Sequence, residues 1–155
     1  MGGSANPAVV RLMRDRVAVG CRTAGRPLGA VNVVIGAVTV VDRDGAAARR
    51  RARAEVAKYL AVVAGLDPTT ELPAGFAGRI QTLVEAGRDD AAGALIPDDV
   101  LDRFAFSGTP EQVAALAQAV LDAGADRVDF GTPHGLADLA GVDALGTMVL
   151  PLLRR

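Results

Sequence analysis

The stretch from Val31 to Val41 constrains the fold of this chain more than any other part of the sequence. It is rich in β-branched residues and almost continuously apolar, and it does not alternate between apolar and polar residues. A strand that helices cover on both faces has this composition, whereas a half-exposed strand alternates. The stretch therefore predicts a fully buried strand of a parallel sheet, which places the chain in the α/β class. Gly36 within it indicates a bulge or a close backbone approach.

A second buried strand is predicted at Arg127–Gly131, directly after the clearest helix signal in the chain. Thr109 can cap that helix, Pro110 fits its first position, and Gln112 can complete a capping box. Gly124 ends the helix and leads into the strand. Two buried strands that are joined through helices must run parallel, with a right-handed crossover.

The rest of the chain predicts helices. Asn6-Pro7 begins a first helix that ends near Gly25, and a longer helix is predicted over residues 45–65. The region from about 66 to 106 is predicted to be helical packing between the two strands, and it is longer than a simple crossover requires. An amphipathic helix over residues 145–152 follows the second strand.

Composition excludes several classes of function. The formal net charge of −1 provides no basic field that would attract nucleic acid or an acidic membrane surface. The single cysteine, Cys21, excludes an internal disulfide and a cysteine-based metal cluster, and we expect it to be a buried apolar residue. No apolar run approaches the roughly 20 residues that span a bilayer, and residues 1–7 show no basic-then-apolar secretion pattern. We therefore expect a cytoplasmic protein that holds no metal.

The run Arg49–Arg53 is the most basic segment of the sequence and lies on a predicted helix. One interpretation is a solvated helix face, which is the usual role of such runs. The other interpretation is a site for an anionic cofactor tail or a phosphate. The residues themselves leave both interpretations open.

The loop Gly131-Thr132-Pro133-His134-Gly135 follows the second predicted strand and carries the only histidine of the chain. Ligands of α/β proteins bind at the carboxyl ends of such strands, so this loop is the best candidate for a functional site. A single histidine cannot serve a Ser/His/Asp triad or a metal cluster, and no phosphate-binding glycine motif follows a strand. The glycines and the proline also fit a tight turn into the last helix.

Three motifs in this order resemble the luciferase-like monooxygenase superfamily: Phe106–Val113, Ala123–Val128 and Gly131–Gly135. The resemblance extends from Asn6 to the end of the chain and is closest to the deazaflavin-dependent branch that includes 5,10-methylenetetrahydromethanopterin reductase. It implies a partial (β/α)₈ barrel, in which the last two parallel strands are at about 31–41 and 127–131. A full barrel needs about 250 residues. The whole chain, 1–155, is thus expected to be a single C-terminal barrel segment without the first six strands.

The resemblance also implies an oxidoreductase that transfers hydride between a reduced deazaflavin, coenzyme F420, or alternatively FMN, and a small organic substrate. Gly131 and Gly135 would let the backbone approach a ligand closely, Thr132 would offer its hydroxyl beside Pro133, and His134 would donate a hydrogen bond. No catalytic residue is assigned. The alternative is a non-catalytic fragment or accessory subunit that self-associates or pairs with a separate barrel half.

Overall fold

The computed structural model describes residues 1–154, except for the side chain of Asp138. In this part of the chain a parallel sheet is packed against helices on both faces. The elements in chain order are α1 Pro7–Thr23, β1 Val34–Val41, α2 Gly45–Ala57, α3 Leu60–Leu66, α4 Phe76–Glu85, α5 Asp89–Ala94, α6 Asp98–Phe104, β2 Ala105–Gly108, α7 Pro110–Asp122, β3 Arg127–His134, α8 Asp138–Ala144, a π-helix Leu145–Val149 and a 3₁₀-helix Leu150–Leu152.

The two predicted strands pair directly with each other, and they run parallel as expected. Residues 34–38 of β1 lie opposite residues 127–131 of β3. The first strand begins at Val34 rather than at Val31, and the second extends to His134 rather than ending at Gly131. The α/β class and the parallel pairing are thus confirmed, while the second strand is longer than predicted.

The prediction of only two strands is wrong, because β2 forms a third one. Its four residues follow α6 with no intervening linker and end in Ser107-Gly108, so they carry almost no periodic signal. They pair in parallel with residues 38–41 of β1, and the amide of Asp42 donates to the carbonyl of Gly108 at 3.2 Å. The sheet order is therefore β2-β1-β3.

The N-terminal segment also contacts the sheet. The Gly36 amide donates to the Met1 carbonyl at 2.9 Å, and the Gly36 carbonyl accepts from the Ser4 amide at 3.3 Å. Backbone groups of consecutive residues in a strand face opposite edges, so Gly36 and Asp42, which are an even number of residues apart, face the same edge of β1. The segment therefore lies beside the first half of β1, β2 lies beside the second half, and β3 lies on the opposite edge. The order of this segment, β1 and β3 across the sheet follows their order along the chain, as in a (β/α)₈ barrel.

The core is divided between the two faces of β1. Ile35, Ala37 and Val41 pack against α1 and α7, and Val40 packs against α2 to α6. Alternate residues in the first half of β1, from Val34 to Val38, are only half-buried. The prediction of complete burial is thus right for one face and wrong for the first half of the other, where Val34, Gly36 and Val38 are only half-buried.

The predicted start of α7 is confirmed, whereas the predicted long helix is interrupted. Thr109 and Gln112 form the predicted capping box at the start of α7. The predicted helix over residues 45–65 is interrupted at Tyr59, whose hydroxyl donates to the carbonyl of Phe104 at 2.5 Å. This long-range contact divides it into α2 and α3. Cys21 is buried, as expected.

Candidate functional site

The predicted loop 131–135 is mostly part of β3. Gly131 pairs with Val38 and His134 pairs with Val40, so two residues of β3 lie opposite one residue of β1. This irregularity is a bulge, and bulges are common next to active sites because they redirect side chains. The prediction that the strand ends at Gly131 is wrong, since the edge of β1 continues to bind the backbone beyond it.

Both glycines of this segment make close contacts with the chain itself. A Cβ atom on Gly131 would lie 2.7 Å from the carbonyl oxygen of Ala37, and one on Gly135 would lie 2.7 Å from the Cα of Gly141. Real Cβ atoms do not approach backbone atoms this closely. The tight packing of β3 on β1 and on α8 is therefore sufficient to explain these glycines, and their predicted contact with a ligand stays a prediction.

His134 is held by its own strand. Its φ is 72°, and the adjoining Thr132–Pro133 peptide is cis. Its ring Nε2 lies 3.1 Å from the carbonyl oxygen of Phe130, which makes Nε2–H the donor in a neutral ring and leaves Nδ1 as an acceptor. The predicted donation to a ligand would thus have to compete with this contact.

A groove lies on the half-covered face of the sheet, beside Gly131 and Thr132. Its volume is about 410 Å³, which is within the range of small-molecule sites. We call it the sheet groove. Its other lining residues come from the N-terminal segment, β1, α3 and β3: Gly2, Gly3, Gly36, Ala37, Val38, Tyr59, Val63 and Asp129.

The lining of the sheet groove is mainly apolar. Gly36 and Gly131 contribute no side chains to its floor, and Thr132 presents an exposed hydroxyl group. Burial raises the pKa of the Tyr59 hydroxyl above its ordinary value, so this group remains neutral. Tyr59 was not predicted because its spacing is that of an ordinary core stripe.

A smaller cavity of about 260 Å³ lies at the carboxyl ends of the strands. Its lining includes Asp42 and Arg43, which follow β1, Pro110 of α7 and Asp143 of α8. Its position agrees with the rule that ligands of α/β proteins bind beyond strand ends. Of these residues, only Asp42 and Arg43 are next to the end of a strand that the sequence predicted.

Arg49 and Arg53 of the arginine run connect α2 to α6 and to Ile96 before it through hydrogen bonds. Arg49 donates to Asp102 at 2.7 Å and to Asp98 at 2.9 Å, and Arg53 donates to the carbonyl of Ile96 at 2.8 Å. Burial lowers the pKa of Arg49, but the hydrogen bonds to the two carboxylates more than offset it, and the pKa is raised. Neither sequence interpretation therefore describes Arg49 and Arg53, because both guanidinium groups bind acceptors of the chain itself.

Within residues 1–154, no group of three or more histidine, cysteine, aspartate or glutamate side chains is arranged to hold a metal ion. The described helices are also too short or too polar for one of them to cross a membrane. The sheet groove and the adjoining end of β3 are the candidate site, because the groove borders Gly131 and Thr132 of the predicted segment.

Comparisons with known proteins agree on one family. The profile of luciferase-like monooxygenases matches residues 1–127, which end before the segment 131–135. The chain is 26% identical over 159 residues to a 5,10-methylenetetrahydromethanopterin reductase of Archaeoglobus fulgidus, covering 97% of the chain and 47% of that relative. It is 24% identical to the reductase of the same name from Methanolobus tindarius, with 95% and 46% covered.

The fold is also similar to a solved structure. The coenzyme F420 dependent tetrahydromethanopterin reductase from Methanopyrus kandleri superposes with a TM-score of 0.83 at 21% identity, covering 99% of this chain and 45% of that one. The chain thus spans about half the length of the relatives it matches. The predicted resemblance is confirmed, and the chain belongs to the luciferase-like monooxygenase family.

Proposed function

We propose that this chain supplies the C-terminal part of a coenzyme F420-dependent oxidoreductase that acts on a small organic substrate. The observation that carries the proposal is the similarity to methylenetetrahydromethanopterin reductases, which extends over 95–97% of the chain. The same branch was expected from the motifs around residues 106–135. When the deazaflavin is bound, it carries the hydride. The chain contributes one wall of the deazaflavin site.

In this proposal the chain forms one C-terminal barrel segment. The N-terminal segment, β1 and β3 take the places of the sixth, seventh and eighth strands, because they are neighbours in chain order across the sheet. Strand β2 is then an additional short strand beside the end of β1. Five strands, rather than the six expected from the sequence, are supplied from outside these residues.

The sheet groove fits a flat ring system. Gly36 leaves the backbone of β1 free of a side chain on this face, and Val38 and Val63 offer apolar contacts to a planar ligand. Thr132 offers a hydroxyl to a polar edge of the ring. A flavin ring has the same planar shape, so FMN remains the alternative cofactor. The predicted contacts of Pro133, His134 and Gly135 with the cofactor belong to the same proposal.

The alternative is a non-catalytic accessory part of the fold. It is favoured by the contacts at the end of β3, where Gly131, His134 and Gly135 all bind or touch other groups of the chain. A segment with this role would complete a barrel without touching the reacting atoms.

Binding of the coenzyme tests the proposal. The fluorescence anisotropy of oxidised coenzyme F420 is titrated with the full chain, and FMN serves as a competitor. We expect saturable binding that Gly36→Leu abolishes, because a leucine there fills the sheet groove. The matched control is Gly146→Leu, since a Cβ atom on Gly146 meets no atom within 4 Å.

The outcomes separate the candidate functions. Displacement of F420 by an equal concentration of FMN would favour the flavin alternative. If neither molecule binds at concentrations up to about 1 mM, the result supports the accessory role. A dissociation constant of that size corresponds to only about 4 kcal/mol of binding free energy. Equal losses in the two glycine variants would mean that the sheet groove is not the binding site.

A further inference from the structure

A groove of about 300 Å³ lies between α2 and α5 and is lined mainly by guanidinium groups. They belong to Arg50, Arg51 and Arg53, and the other lining residues are Asp90 and Ala94. We call this cavity the arginine groove. Its volume is at the lower end of the range of small-molecule sites. It shares no lining residue with the sheet groove, so it is a separate candidate site.

Close packing holds the walls of the arginine groove in place. Helices α2 and α5 touch at Gly93, where a Cβ atom would lie 2.8 Å from the backbone nitrogen of Ala54. The side chain of Arg53 is only 19% exposed, and its Nε donates to the carbonyl of Ile96 at 2.8 Å. Arg53 therefore forms a fixed, positively charged wall, and a ligand that binds beside it does not have to order this side chain.

The positive charge around the arginine groove is only partly compensated. Arg50 is exposed and forms no ion pair within residues 1–154. The carboxylates that bind Arg51 and Arg53 each bind a second cation as well, and they belong to Glu55 and Asp98. Arg50 and Arg53 are three residues apart on one helix, and like charges at about this spacing destabilise a helix. An anion in the groove would relieve this repulsion.

We propose that the arginine groove binds a phosphate group, either as free phosphate or as the phosphate of a small organic ester. The exposed guanidinium groups of Arg50 and Arg51 donate to the phosphate oxygens, because their planar forks match this group. Arg53 contributes its charge from the wall. A phosphate monoester has close to two negative charges at pH 7 and three acceptor oxygens, which suits three guanidinium groups beside the single carboxylate of Asp90.

A carboxylate ligand fits the arginine groove less well. It has one negative charge and two oxygens, so it leaves more of the guanidinium charge uncompensated. The proposed phosphate site goes beyond the proposed function, since it depends neither on the deazaflavin nor on the sheet groove.

The experiment titrates the isotope-labelled full chain with inorganic phosphate at pH 7 and constant ionic strength, and NMR follows the amide signals of residues 50–54 and 90–94. We expect saturation with a dissociation constant of about 1 mM or below. Arg50→Ala should weaken binding by about 10-fold, because it removes a charge-assisted hydrogen bond. Asp90→Asn should tighten binding, since it removes the carboxylate of the lining. The matched control is Arg16→Ala, at an exposed arginine of α1.

A second titration identifies the source of the phosphate group. Glycerol 3-phosphate replaces inorganic phosphate as the probe, and succinate serves as a carboxylate of similar size. Tighter binding of glycerol 3-phosphate would support a phosphorylated organic molecule as the ligand, and tighter binding of inorganic phosphate would support free phosphate.

Three results would overturn the proposal. One is a titration that does not saturate below about 10 mM phosphate, which would make Arg50 and Arg51 part of a solvated helix face. Another is an Arg50→Ala chain that binds phosphate as tightly as Arg16→Ala, which would place binding elsewhere. The third is binding of succinate that is at least as tight as that of phosphate. Gly36→Leu should retain the affinity for phosphate, so a failure here is distinguishable from a failure of the F420 titration.

Discussion

Replacement of Asp67 by asparagine should destabilise the protein through a buried polar cluster. Asp67 is 2% exposed and Asn6 is 5% exposed. The carboxylate accepts from the Thr69 amide at 2.8 Å, the Thr69 hydroxyl at 2.6 Å, the Thr70 hydroxyl at 2.8 Å and Nδ2 of Asn6 at 3.0 Å. The cluster ties the start of α1 to the segment that follows α3.

The magnitude follows from the donors that lose their acceptor. In Asp67→Asn one carboxylate oxygen becomes an NH₂ group, which faces the Nδ2 donor of Asn6. The Thr70 hydroxyl can rotate to accept from it, whereas the amide of Asn6 cannot. Loss of this one hydrogen bond to a charged group costs about 2 kcal/mol, while Nδ2 of Asn6 keeps the Thr69 and Thr70 hydroxyls as acceptors at 2.9 and 3.2 Å. In a chain of this size this corresponds to a decrease of roughly 4–8 °C in Tm.

The effect should depend on pH. Burial raises the pKa of Asp67, but the hydrogen bonds from Thr69, Asn6 and Thr70 more than offset it, so the pKa in the folded chain is lowered. A lowered carboxyl pKa contributes stability that is present above the unfolded value of about 3.9 and is lost as the pH falls through the folded value. The difference between wild type and Asp67→Asn should therefore be largest at neutral pH and should shrink in acid.

Urea denaturation at pH 7 and at about pH 3 measures both effects. Asp15→Asn, at an exposed aspartate of α1, is the matched control and should change stability little. A loss below about 0.5 kcal/mol at pH 7 would refute the role of the cluster. An equal loss at both pH values would refute the assignment of the effect to the charge of Asp67.

The remaining predictions concern the packing around Gly141 and the ion pairs of Arg49. Gly141→Ala should cost about 3 kcal/mol or more, because its Cβ would lie 2.3 Å from the carbonyl carbon of His134. Gly146→Ala is the control, and similar urea midpoints for the two variants would contradict the packing argument. Arg49→Ala should cost about 1–2 kcal/mol, because it removes the hydrogen bonds of a mostly buried guanidinium to Asp98 and Asp102. Arg50→Ala, at an exposed position on the same helix, should have little effect, and a small loss for Arg49→Ala would show that these ion pairs are dispensable.

Some features of this protein are determined by local sequence. Thr109 and Gln112 form a capping box because the interacting groups are three residues apart, so neighbouring sequence is sufficient to predict it. The apolar run that contains β1 also predicts a parallel strand packed against helices, which is right except on one face of its first half. The three family motifs depend on short segments in order, and this explains why the family could be recognised without coordinates.

Other features depend on residues that are far apart in the chain. Strand β2 forms because the edge of β1 is available to Ala105–Gly108, and its own residues have no strand pattern. Asn6 and Asp67 meet across 61 positions, which no local spacing predicts. The sheet groove combines the N-terminal segment, β1, α3 and β3. Hydrogen bonds and packing between distant segments are decided only when the whole chain has folded, so the candidate site required the tertiary structure.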